Sequence, residues 1–358
     1  GVRIMAYTTI DDPSAYFHIQ LYSGNGGTQV ITNDANAGDF KPDWLWTKSR
    51  NDAFDHITRD SSRGVTKRLI THSTGAEDTA SGTSSFNTDG FTLDSTNTVN
   101  KSTDNYVAWQ WKSQGGSTVS NSDGSITSTV QANTTAGFSI VTYTGTGSNA
   151  TVGHGLGATP KFVVVKNRDS AGNSWFTHLT NILSDDGKIL FLNNQDGEST
   201  NATAFNSTAP TSSVFSVGTN TGTNANTDNY VAYCFAEKQG YSKFGSYTGT
   251  GNTNGPMVFC GLKPAWIMIK RTNGGSQNWF ILDNKRDDGL NPRNSYLMPN
   301  QSSAEDANNS TVDTDFLSNG FKLRATTGAL NGNGDTYIYM CFASSPFVSS
   351  EGVPTTAL

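Results

Sequence analysis

Four short sequence blocks recur three times in the same order, and they constrain the fold of this chain more than any other feature. The spacing from the second block to the third is nearly constant, at 15, 15 and 16 residues. The period of about 105 residues is too long for one turn of a solenoid and long enough for a separate core. The sequence therefore predicts three tandem domains. Three of the blocks begin at Pro42, Pro160 and Pro264, at Phe91, Phe215 and Phe321, and at Tyr106, Tyr230 and Tyr337.

Within each repeat, the apolar runs have the length and pattern of β-strands. The stretches 162–165 and 266–269 are apolar on both alternating faces, which predicts strands that are buried on both sides. Clusters of Gly, Asn, Asp and Ser separate the runs and supply turns. We expect roughly six to eight short strands per repeat. The prediction is an all-β fold of three tandem antiparallel β-sandwich repeats of jelly-roll or concanavalin-like type.

The spacing also places the domain boundaries. The segment between the first two repeats is rich in Gly, Ser and Thr, so we expect a linker on which the first repeat hinges, with one edge strand near residues 125–130. The predicted organisation is an N-terminal arm at 1–17, repeats at 18–112, 137–238 and 239–347, a linker at 113–136 and a C-terminal tail at 348–358.

Composition excludes several classes of function. Thr, Ser, Gly and Asn number 47, 39, 37 and 35, which together is 44% of the chain, while charged residues are only 15%. The net charge of −6 argues against a nucleic-acid partner, which calls for a basic stripe. No apolar run approaches the ~20 residues of a membrane-spanning helix, so we expect no membrane insertion.

The pattern of reactive residues predicts no catalytic site. The five histidines are isolated, no Gly-x-Ser-x-Gly elbow occurs, and the acidic pairs do not recur in all three repeats. We therefore expect no enzyme, no catalytic residues, no metal site and no cofactor. Calcium at the Asn/Asp-rich loops 33–39 and 331–335 is an alternative to ordinary turns. The cysteines Cys234, Cys260 and Cys341 lie in apolar runs and are predicted to be buried free thiols.

Two groups of residues are candidates for binding. Trp175 and Trp279 stand beside polar loops, where an aromatic face stacks well on a sugar ring, although core packing is the alternative. Lysines at 48, 166 and 270 end equivalent apolar strands, and we expect their ammonium groups to lie in water. In the arm, Ile10, Tyr16 and Phe17 are too apolar to remain loose, so we expect them to dock onto a partner protein.

Three stretches carry a resemblance to a known family: residues 5–17, residues 153–168 and the string 240–249. They resemble a family of virion structural proteins common in marine bacteriophages, notably those that infect cyanobacteria and pelagic bacteria. Members begin at the residue that matches Met5, so residues 1–4 depart from the family. The resemblance implies a component of the phage particle, often described as a tail fibre or as a protein of unknown function.

Together these features favour a non-enzymatic virion protein on the exterior of the particle, either a tail fibre or adhesin or a capsid fibre. It would bind host-surface glycans or neighbouring virion proteins. The alternative is a capsid decoration or lattice protein with virion partners only, and a polysaccharide depolymerase is a remote third hypothesis. Because sandwich edges must be paired or blunted, we expect a homo-oligomer, with a trimer favoured.

Overall fold

The computed structural model describes residues 6–34, 38 and 40–356, and in this part of the chain the fold is all-β. Strand pairs are antiparallel throughout, with short 3-10 turns at Pro13–Ala15 and Ser310–Val312. Two compact units are present. The larger unit contains residues 15–236 and 298–305, and the smaller contains residues 237–297 and 306–356 with residues 6–14. No described helix is long and apolar enough to cross a membrane.

The first stretch of the larger unit forms one main sheet and one short sheet. The main sheet has the order β1-β9-β3-β4-β5-β6, and the short sheet has the order β2-β8-β7. The first and last strands are therefore neighbours. The elements are β1 (Phe17–Ser23), β2 (Gln29–Ile31), β3 (Trp44–Ser49), β4 (Ile57–Asp60), β5 (Lys67–Ile70), β6 (Asp78–Thr79), β7 (Thr83–Phe86), β8 (Phe91–Leu93), α1 (Asn97–Asn100) and β9 (Asn105–Trp111).

The second stretch of the same unit repeats this order. Its main sheet runs β12-β19-β14-β15-β16-β17, and β11 and β10 extend it beyond β12. Strands β13 and β18 form the short sheet. The elements are β10 (Val119–Asn121), β11 (Ser128–Asn133), β12 (Phe138–Thr144), β13 (Ala150–Gly153), β14 (Phe162–Asn167), β15 (Phe176–Leu179), β16 (Lys188–Phe191), β17 (Ser199–Thr200), β18 (Val214–Val217), α2 (Thr221–Asn224) and β19 (Asn229–Phe235).

The smaller unit has the same pairing once more. Its main sheet is β20-β26-β22-β23 and its short sheet is β21-β25-β24. Residues 162–165 of β14 and 266–269 of β22 are all buried, which confirms the interpretation of their doubly apolar sequences. The elements are β20 (Ser242–Thr248), β21 (Met257–Phe259), β22 (Leu262–Arg271), β23 (Trp279–Asp283), β24 (Thr314–Leu317), β25 (Gly320–Leu323) and β26 (Thr336–Pro346).

An aromatic triad recurs in the core of each stretch. Tyrosines on the first and last strands stack with ring centroids 5.0–5.1 Å apart, and a phenylalanine of the short sheet meets the first tyrosine edge-on at 6.0 Å. The triad joins the two sheets, which explains the fixed spacing of the sequence blocks. Its members are Tyr22, Tyr106 and Phe91, then Tyr143, Tyr230 and Phe215, then Tyr247, Tyr337 and Phe321.

A buried asparagine beside each triad holds the surrounding loops together. Its Nδ2 donates to two backbone carbonyls at 2.6–2.9 Å, and its Oδ1 accepts a backbone N–H at 2.7–2.9 Å. The glycine two residues after the first tyrosine is required here, because a Cβ atom would lie 2.1–2.3 Å from a carbonyl oxygen. The asparagines are Asn100, Asn224 and Asn331, and the glycines are Gly24, Gly145 and Gly249.

The outer faces of the two main sheets of the larger unit pack against each other. Trp44 of β3 stacks on Tyr233 of β19 with ring centroids 4.4 Å apart, and Phe235 contacts Trp44, Trp111 and Phe138. These side chains alternate with the core-facing residues of the same strands. The expectation that the first repeat hinges is therefore wrong, because large aromatic side chains fix it to the second.

A buried ionic network lies beside this aromatic contact. Arg63 binds Asp60 at 2.5 Å and Glu77 at 2.7 Å, and Glu77 also binds Arg168 at 2.9 Å. The hydroxyl of Tyr233 donates to Asp60 at 2.7 Å. Breaking a buried pair of this kind costs about 3–5 kcal/mol, so the network fixes the mutual position of the two stretches.

The segment expected to be a flexible linker is ordered into the second main sheet. Strand β11 pairs with β12 from Thr129 to Asn133 and with β10 on its other side. The segment therefore supplies two strands, and the edge strand is β10, not the predicted strand near 125–130. The side chain of Gln131 also accepts the backbone N–H of Gly116 at 2.7 Å and donates to Ser61 at 3.0 Å. These contacts leave residues 113–133 little freedom.

Candidate interaction surface

Strands β2, β13 and β21 lie at equivalent edges of the three short sheets, and these three edges differ in how they are covered. Strands β2, β13 and β21 pair through their inward-facing residues Ile31, Val152 and Val258 with the phenylalanine of the neighbouring strand. An exposed strand edge presents N–H and C=O groups that pair readily with another chain. The three edges are therefore the natural places to look for a binding site.

The edge of β13 is covered by the segment that precedes β11. Ile126 forms a parallel bridge with Val152, and its N–H donates to the carbonyl of Thr151 at 2.9 Å. The N–H of Thr151 donates in turn to the hydroxyl of Ser125 at 2.9 Å. The side chain of Ile126 is 6% exposed and belongs to the core of the second stretch. This edge is therefore already occupied.

The edge of β21 has no such cover among the described residues. Met257 and Phe259 on its outer face are 40% and 59% exposed. The ring of Phe259 meets that of Phe347 edge-on at 6.4 Å, and Phe347 is partly exposed as well. We call Met257, Phe259 and Phe347 the β21 surface. Exposed apolar side chains beside an unpaired strand edge are typical of an interaction site.

Tyr7 packs against the β21 surface and fixes the turn that follows β21. Its ring meets that of Phe347 at 6.2 Å, and its hydroxyl donates to the carbonyl of Gly261 at 2.8 Å. Gly261 has a φ of +67°, and a Cβ atom there would lie 2.5 Å from the tyrosine oxygen. The turn after β21 is thus held in one conformation.

The edge of β2 is the weaker candidate. Val30 is 61% exposed, but it is the single large apolar side chain exposed on that strand. The β21 surface combines three apolar side chains with the edge and is the better site.

The tryptophans expected to contact glycans do not face solvent. Trp175 and Trp279 are 1% and 0% exposed. The indole N–H of Trp175 donates to the carbonyl of Ile70 at 3.0 Å. Neither ring presents a face to a sugar, so the glycan prediction at these two residues is wrong and the core alternative holds.

Of the arm residues expected to dock onto a partner, two are buried within the protein. Ile10 and Phe17 are each 3% exposed, and Phe17 pairs with Trp111 as the first residue of β1. Thr8 is held by a hydrogen bond from its hydroxyl to the carbonyl of Gln239 at 2.8 Å. Of the three predicted docking residues, Tyr16 alone is partly exposed. Residues 1–5 of the predicted arm lie outside the described residues.

The recurrent lysines are buried, contrary to the prediction that their ammonium groups lie in water. The Nζ of Lys48 donates to the carbonyl of Asp52 at 2.9 Å, and the Nζ of Lys166 donates to that of Asn173 at 2.7 Å. Burial lowers the pKa of each of these two lysines from 10.5 to about 8. Lys270 is equally buried and donates to the carbonyl of Arg271 at 2.8 Å. Backbone carbonyls cover these groups, so their role is structural.

The remaining polar candidates also serve the fold. In the loop considered for calcium, Asn331 is fully buried and hydrogen-bonded to backbone, and Asp335 pairs with Arg271 at 3.0 Å. Residues 35–37 and 39 of the other loop lie outside the described residues. Within the described ranges, no three His, Cys, Asp or Glu side chains are grouped to hold a metal ion. Cys234, Cys260 and Cys341 are buried and unpaired, as predicted.

Sequence reasoning missed the β21 surface. The apolar pattern from Met257 to Cys260 predicts only the surroundings of a buried thiol. The available signal was its shortness: three apolar residues between Pro256 and the Cys-Gly pair are too few for a central strand.

A family model covers nearly the whole chain. It is described as a domain of unknown function, DUF7483, and it matches residues 12–346. No curated protein and no solved structure matches the chain.

Proposed function

The chain belongs to the DUF7483 family, and we propose that it is a non-enzymatic structural protein on the exterior of a phage particle. It would act as a tail fibre, adhesin or capsid fibre and bind neighbouring virion proteins, host-surface glycans or both. The resemblance of residues 5–17, 153–168 and 240–249 to marine phage virion proteins supports the phage setting.

One observation carries the structural role. The polar side chains that recur in all three stretches, the asparagines and the lysines, donate to backbone carbonyls of their own chain, whereas apolar side chains are exposed at the β21 edge. A chain that uses its recurrent polar groups to hold its fold and exposes apolar groups at an edge is suited to bind other proteins.

Two other functions fit less well. A capsid decoration or lattice protein would use the same β21 surface but contact virion proteins alone. A polysaccharide depolymerase would require a pair of opposed carboxylates in a cleft. Incubation with host envelope glycan should release no new reducing ends if the protein is structural.

Location on the particle is the decisive test. Antibodies against the recombinant chain should label the outside of intact particles of a phage that encodes it, and cryo-electron microscopy should place its density on the tail or the capsid. Labelling of host cells without particles would contradict the proposal. Separately, we expect a homo-oligomer, with a trimer favoured, and sedimentation of the purified chain as a monomer at all concentrations would contradict that part.

A further inference from the structure

Strands β13 and β21 have the same register within their sheets. Val152 faces Phe215 on β18, and Val258 faces Phe321 on β25. The residue before each valine is Thr151 in one strand and Met257 in the other. These two residues are therefore equivalent along the strand edge.

Thr151 shows how such an edge is bound. Its carbonyl and its N–H both point away from β18, because they pair with Ile126 and Ser125 of the covering segment. Alternate residues of an antiparallel strand direct their backbone groups to opposite sides. In the same register, the N–H and C=O of Met257 point away from β25.

We propose that the β21 edge binds an extended segment of a different polypeptide, which adds to the short sheet as a parallel strand. The segment takes the place that residues 125–126 occupy on β13, and it pairs with the backbone of Met257. Strand addition of this kind gives affinity through main-chain hydrogen bonds and specificity through alternate side chains. The inference deepens the proposed function, since it names the contact by which the protein would join a virion partner.

Among the described residues, the third stretch has no segment equivalent to the one that covers β13. The second stretch is preceded by residues 113–133, which include the covering segment, whereas only residues 236–241 separate β19 from β20. That short connection packs against β20, where Glu237 accepts the N–H of Phe244 at 2.9 Å and Lys238 forms a β-bridge with Ser242. In a second copy, residues 125–126 already cover that copy's own β13, so they are not free to occupy this edge.

The side chains define the chemistry of the partner. In the second stretch the position equivalent to Phe259 is Gly153, and a Cβ atom there would lie 1.6 Å from Oδ1 of Asn121. Asn121, the last residue of β10, therefore places its polar side chain directly on this glycine. On β21 the equivalent position is the exposed ring of Phe259, so the partner segment requires an apolar side chain to pack on it. The partner segment accordingly has apolar side chains on both faces, one over Phe259 and one, like Ile126, directed into the core.

The probe is a fluorescein-labelled peptide of residues 121–130 with the change Asn121→Leu, titrated with the full-length protein and followed by anisotropy. We expect saturable binding that weakens at least tenfold in the variants Phe259→Lys and Met257→Lys. Leu290→Lys is the matched control, because Leu290 is 70% exposed in the same unit but outside any strand. N-methylation of the peptide amide at Ile126 should also weaken binding at least tenfold, because it removes the donor equivalent to the one that pairs with Thr151.

Several results would overturn the inference. One is the absence of saturable binding. Another is equal binding by the Phe259→Lys and Met257→Lys variants, each of which tests the surface independently at an exposed position. Equal binding by the N-methylated peptide would show apolar adhesion without strand addition. Self-association that Phe259→Lys abolishes and the peptide does not inhibit would make a second copy the occupant. Peptide binding without virion labelling would refute the proposed function and leave this inference standing.

Discussion

The two buried lysines with lowered pKa should make the larger unit more stable as the solution becomes alkaline. The pKa of Lys48 and of Lys166 is about 8 in the folded protein, because burial disfavours the charged ammonium, and about 10.5 when the chain is unfolded. Between these values the unfolded chain binds more protons, so the free energy of unfolding rises with pH. From about pH 7 to about pH 9.5 the rise is about 2 kcal/mol for each lysine, or about 4 kcal/mol for both.

Urea titrations followed by tryptophan fluorescence measure this effect, because most tryptophans lie in the unit that contains both lysines. In a Lys48→Met/Lys166→Met variant the rise should disappear, and in Lys166→Met alone it should be about half as large. Lys188→Met is the matched control, since that lysine is partly exposed and its Nζ donates to the hydroxyl of Thr200. It should retain the full rise.

The core tyrosines set the upper end of the pH range over which the free energy of unfolding rises. Burial raises the pKa of Tyr106 and Tyr230 to about 12. Above about pH 10 the unfolded chain loses tyrosine protons that the folded chain keeps, so stability falls there. A free energy of unfolding that is flat or falls between pH 7 and 9.5, or that rises equally in the double variant, would refute the role assigned to the lysines.

Three further predictions concern the core. Asn224→Ala should lower the free energy of unfolding by about 3 kcal/mol, since it leaves buried backbone groups unpaired, and urea titration should show little change for the exposed Asn226→Ala. In thermal unfolding, Gly145→Ala should lower the free energy of unfolding by more than about 2 kcal/mol, because its Cβ would lie 2.1 Å from a carbonyl oxygen. The control Gly172→Ala should lower it by about 1 kcal/mol, since Gly172 has open space around it and a φ of +86°. A thiol reagent should modify none of the three cysteines in the native protein and all three in denaturant. The thiols are buried in the native protein, and burial raises the pKa of Cys234 and Cys341. Modification of fewer than three cysteines in denaturant would show that a disulfide had formed.

The sequence by itself determined the local elements of the fold. Alternation, turn residues and the repeated blocks predicted strands of the right type, including β14 and β22 with both faces buried. The constant spacing from the phenylalanine to the closing tyrosine predicted the repeat, and the ring contacts of the triads are its physical reason. These features depend on residues close in sequence or on a repeated pattern, and both are visible in one chain.

Only the tertiary structure decided which surfaces are covered. Lys166 ends its strand as an exposed lysine would, yet a loop of the first stretch brings the carbonyl of Thr74 within 3.3 Å of its Nζ. Trp175 lies beside polar residues in sequence, yet its indole meets the backbone of Ile70, 105 positions away. Conversely, Phe259 is apolar and remains exposed, because the segment that covers the equivalent edge of β13 has no counterpart on β21 among the described residues. Whether a side chain is buried depends on which distant chain segments pack over it, and a local sequence pattern does not encode that.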